Sequence, residues 1–162
     1  MNFRPLFGLS LVVACLLVSG CLYDFPLTAA PTRKIDPRLV GDWVAQDKDS
    51  QKEELLKVRR LDDSTYVVAL DNDLYRAFHS DFAGTAFLSV QNLQPGPDDR
   101  KYVYFVWQLS ADGDHLVLKG VSNHIVPEST KTREDAQRLI QANLTNPELY
   151  GDELQFTRKS SR

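Results

Sequence analysis

Apolar and polar positions alternate with period two along most of this chain, and residues that favour turns break the alternation at short intervals. Leu39, Gly41 and Trp43 fall on one face of an extended segment, and Val40, Asp42 and Val44 on the other. Segments 55–61 and 65–70 follow, divided by Asp62-Asp63-Ser64. Asp71-Asn72-Asp73 then turns the chain into 74–79, and residues 81–84 bend it into 85–90. After the loop 94–99, residues 102–109 form the most β-rich stretch. Tyr102, Tyr104 and Val106 point one way; Val103, Phe105, Trp107 and Leu109 point the other. Both faces are apolar, which predicts a strand covered on both sides. Asp112-Gly113 supplies a tight turn into 115–121, and 153–158 alternates as a last strand.

One segment departs from period two. Ala136, Leu139, Ile140 and Asn143 recur at helical spacing, and Thr132 with Asp135 forms a capping-box start. A helix over 133–144 is therefore expected to cover the sheet near Tyr102–Val106. Asn146-Pro147-Glu148 predicts a short further turn, proline being well tolerated at the first helical position. Residues 22–37 keep no period and carry Pro26, Pro31 and Pro37, so they read as an extended tether. Residues 159–162 read as a disordered tail.

The N-terminus has its own pattern. A start bearing Arg4 leads into an apolar run over 6–18, closed by Val18-Ser19-Gly20-Cys21. As a helix that run reaches roughly 20 Å, short of the ~30 Å hydrocarbon core, so a signal sequence fits better than a membrane span. Its closing residues resemble the bacterial lipobox. The resemblance implies cleavage between Gly20 and Cys21, a diacylglycerol on the Cys21 sulfur, and acylation of the new N-terminus. More than one acyl chain makes such an anchor lasting. Leu22, in place of an aspartate, points to the outer membrane with the domain facing the periplasm; inner-membrane anchoring is the alternative. The expected organisation is a signal peptide over 1–20, a lipidated N-terminus and tether over 21–37, one β domain over 38–158, and the tail.

Composition narrows the function. The chain has 162 residues and a net charge of −3, without the basic footprint of a nucleic-acid binder. Its cysteines number 2; Cys15 leaves with the signal peptide and Cys21 is thioether-linked, so no disulfide is expected. His79, His115 and His124 fall in no metal-binding spacing, and no Gly-x-Ser-x-Gly elbow occurs, so neither a metal site nor a cofactor is expected. His79 with Asp81 is the one pair that could serve an enzyme; a strand-end histidine beside a turn aspartate is the commoner meaning. Asp71-Asn72-Asp73 and Asp112-Gly113-Asp114 read as turn chemistry and not calcium loops. Lys57-Val58-Arg59-Arg60 reads as a solvated outer face paired to carboxylates.

About eight strands in a meander, a helix before the last strand, and Gly41-Asp42-Trp43 at the start resemble a lipocalin-like domain. The resemblance implies an antiparallel barrel, closed or partly open, acting as a non-enzymatic binding module. Trp43, Phe78, Phe105 and Trp107 are the candidates for its pocket or its packed core. The expected partners are the membrane, through the acyl chains, and either a small apolar ligand or an envelope protein. A structural or accessory subunit without ligand is the alternative function.

Overall fold

A computed structural model of the chain describes residues 22–46, 53–94 and 101–159. The lipobox and signal segment lie outside these residues, as do parts of the β1–β2 and β5–β6 connections and the last three residues.

Eight antiparallel strands form one closed barrel in sequence order. They are β1 (Gly41–Gln46), β2 (Glu53–Arg60), β3 (Thr65–Leu70), β4 (Asp73–His79), β5 (Phe87–Asn92), β6 (Tyr102–Leu109), β7 (His115–Val121) and β8 (Tyr150–Arg158). Closure is made by β1 and β8, with Trp43 opposite Arg158 and Val44 opposite Thr157. The expected barrel of about eight strands is thus fully closed, which leaves no edge strand open to mispairing. The turns are as the sequence requires: Asp71 and Gly113 take positive φ values of 51° and 80°. Asp112 accepts from the Asp114 amide at 3.0 Å, the local turn chemistry that competes with any calcium reading.

Helix α1 (Arg133–Asn143) begins where the capping box places it, Thr132 Oγ1 accepting from the Asp135 amide at 3.1 Å. Its Ala136 and Ile140, one turn apart, are fully buried, whereas Leu139 is half-buried. They join Tyr102, Tyr104, Phe78 and Phe87 in a cluster outside the barrel wall, separate from the cluster that fills its interior. The strand predicted to be covered on both faces is so covered, by the interior on one side and this outer cluster on the other. A short 3-10 turn over Pro147–Leu149 follows, capped by Asn146.

Residues 22–36 differ from the tether expected there. They form a strap laid along the outer wall beneath α1. Tyr23 pairs with Tyr102 through two backbone hydrogen bonds of 2.8 and 2.7 Å, and its ring stacks on Tyr104 at 4.6 Å. Leu27 is fully buried, its amide donating to Ser89 Oγ at 3.0 Å. From α1, Arg133 and Gln137 donate to the carbonyls of Pro26 and Leu27. Further along, Thr32 donates its amide to the His79 carbonyl and Ile35 to that of Asp63. The prolines make the segment extended without making it loose. Its backbone hydrogen bonds go to several separate partners on the barrel and the helix, so the segment packs without any period.

Candidate functional site

The strands' inward faces define two regions, a cavity in the barrel body and a polar and aromatic floor at one end. The mouth is the end where β1, β3, β5 and β7 finish and β2, β4, β6 and β8 begin.

The cavity has a volume of about 80 Å³ and is lined by side chains including Leu56, Val68, Leu70, Val90, Phe105 and Leu118. Alternation along each strand produces this lining, since Tyr66, Val68 and Leu70 share the inner face of β3, and Leu88 and Val90 that of β5. None of the described lining residues carries a charge. Tyr66 and Tyr75 bring the only side-chain hydroxyls among them, and burial pushes both phenols up to about 12, so both stay protonated donors at any physiological pH.

The four aromatic candidates separate. Phe105 lines the cavity. Trp43 and Trp107 belong to the interior cluster but lie below the cavity, toward the floor. Phe78 is not in the barrel at all. It points outward into the cluster under α1, because β4 directs Tyr75, Ala77 and His79 inward and alternation sends Phe78 the other way.

Trp43 is fully buried at the floor, its indole nitrogen donating to the Leu39 carbonyl at 3.0 Å. The Arg158 guanidinium lies over its ring at 4.2 Å. Arg158 also donates to the carbonyls of Gly113, Val40 and Arg38. Through these bonds Arg158 seals the floor and ties both ends of the domain together. Gly41 makes this contact feasible. A Cβ there would stand 2.6 Å from Arg158 Nη1, so the bare backbone gives room to the guanidinium.

His79 is also fully buried at the floor. Its Nε2 lies 2.8 Å from Tyr66 Oη, which itself accepts from the Asp36 amide at 2.6 Å. The Trp107 ring is 5.5 Å away, and Arg33 stands 5.4 Å from that ring. Asp81 does not reach His79. Its carboxylate pairs with Arg33 at 2.8 Å, and His79 Nδ1 has no hydrogen-bond partner among the described residues. The pair that could have served an enzyme is therefore drawn apart, with the imidazole sealed from solvent. His115 and His124 are exposed. No three His, Cys, Asp or Glu side chains among the described residues are grouped to hold a metal ion.

Burial, and next the Arg33 charge, lower the His79 pKa from 6.5 to about 4, outweighing the opposite pull of Asp81 and Asp36. A histidine that resists protonation when folded makes the unfolded chain the better proton acceptor. The stability it leaves intact above pH 6.5 is lost as the pH falls through that window toward 4. Urea denaturation is expected to show a loss of about 3 kcal/mol between pH 7 and pH 4. His79→Gln should flatten most of that slope; an equal slope in both proteins would place the titration elsewhere.

The basic cluster on β2 is paired as expected: Arg59 meets Asp42 at 2.6 Å and Arg60 meets Asp63. Comparison with protein families, with curated proteins and with solved structures returns no match. The class is given by the architecture alone: a closed, eight-stranded antiparallel barrel of the lipocalin type, with an apolar interior and a helix packed on its wall.

Proposed function

We propose that this chain is a lipid-anchored envelope protein that binds a small apolar molecule inside its barrel and catalyses nothing. The observation that carries the reading is the uncharged cavity, set in a closed wall where an apolar guest trades water for packed side chains. Its volume limits the guest. At about 80 Å³ the cavity is roughly half the 150 Å³ known to admit benzene, so it suits a thin aliphatic segment better than a ring. The lipobox-like Val18-Ser19-Gly20-Cys21 supports a place at the membrane, most simply the periplasmic face of the outer membrane.

Thermal melts with n-alkanols of increasing chain length test the binding. An alkanol at a hundred times its Kd should stabilise the fold by about 2.7 kcal/mol, a rise of a few degrees in Tm. Val90→Phe fills the cavity from the β5 wall and should abolish that rise while leaving the ligand-free Tm within a few degrees. The same small volume favours the second reading, an accessory subunit whose barrel is simply packed. No rise at any chain length would select it.

A further inference from the structure

The strap fixes where an N-terminal anchor must leave the domain. Were residues 22–36 a free tether, they would span up to about 50 Å and leave the barrel's orientation unconstrained. Instead Tyr23 is clamped to Tyr102, the first residue of β6, which places it at the mouth. Leu22 packs against the interior cluster. Cys21 directly precedes Leu22 in the chain.

The same corner of the rim carries exposed apolar residues. Leu74 and Leu93, 43% and 40% exposed, are neighbours on the outer wall, the Leu93 amide donating to the Leu74 carbonyl at 2.9 Å. Leu74 lies on β4 and Leu93 just past the end of β5, the strand that pairs with β6. Charge does not drive a contact here. Lys101 lies 3.7 Å from Asp24, and Asp71 and Asp73, at the turn leading into Leu74, add negative charge to the same corner.

We infer that the barrel is mounted mouth-down, with the β4–β6 corner of its rim, led by Leu74 and Leu93, resting on the bilayer that the Cys21 acyl chains enter. The inference rests on the anchor reading and deepens it: an apolar guest then passes between bilayer and cavity along a short path at the rim. Leu61 provides the internal control. It is 59% exposed, but it follows β2 at the floor end.

The test uses the full lipidated chain in phosphatidylcholine vesicles containing brominated lipid. Leu74→Cys, Leu93→Cys and Leu61→Cys are each labelled with bimane; an acylated Cys21 does not compete for the label. Quenching at 74 and 93 should exceed that at 61 by roughly twofold or more, as for groups at the headgroup boundary. Equal quenching at all three positions, or none at 74 and 93 in protein that floats with the vesicles, overturns the orientation and leaves the anchor standing. Palmitate labelling separates the other failure. A wild-type chain that takes up no label and does not float removes the anchor itself, whereas label lost only in Cys21→Ala supports it.

Discussion

Ile140→Asp is expected to leave no cooperative thermal unfolding transition. Ile140 is fully buried where α1, the strap and the outer face of β6 meet, among Tyr23, Phe87 and Tyr104. An aspartate there gives up an apolar contact surface and strands a carboxylate away from water. Together these cost more than about 4 kcal/mol, against a total of about 5–15 kcal/mol for a domain of this kind. The neighbouring positions calibrate the result. Leu139→Asp, at a half-buried site, should lower Tm by less, and Gln141→Asp, on the exposed face, should change stability by no more than about 0.5 kcal/mol. Near-ultraviolet circular dichroism and melting curves read all three. If Ile140→Asp melts like wild type, α1 is an ornament on the barrel and the outer cluster adds nothing to the fold.

Trp43→Ala carries the second large effect, inside the barrel at its floor. Deleting a buried tryptophan typically costs about 3–5 kcal/mol through lost transfer energy and the void left behind. Two further losses follow here: the Leu39 carbonyl loses its donor, and Arg158 loses the ring beneath its guanidinium. Urea denaturation of Trp43→Ala, Arg158→Met and the double variant apportions these terms. The two singles should sum to more than the double by about 1–2 kcal/mol, the range for a partly desolvated cation over an aromatic face. Strict additivity would mean that the stacking adds nothing. Arg158→Lys should not restore the coupling, because a lysine cannot lie flat on the indole while donating to three carbonyls.

These two sites differ in how far the chain itself announces them. The α1 site is legible: Ala136 and Ile140 recur at helical spacing, Thr132 and Asp135 mark the start, and β6 is apolar on both faces. Each of these signals lies within a single element. The floor is not legible. Trp43 stands out, but nothing near Arg158 in sequence marks it as the partner, since Arg158 and Val40 lie 118 positions apart. The His79–Asp81 pair fails for a related reason. Proximity in sequence suggests a dyad, yet Arg33 from the strap captures the aspartate and Tyr66 from β3 captures the imidazole.

The sequence by itself determined the strands, their turns, the helix and its cap, because period-two and helical spacing are properties of neighbours along the chain. Phe78 shows where that knowledge ends: alternation assigns it a face, and only closure of the barrel decides which face is the inside. The strap shows the same from the other side. Residues 22–36 have no period because their partners come one at a time from β3, β4, β5, β6 and α1. What joins those partners is the folded surface, which exists only once β1 has met β8.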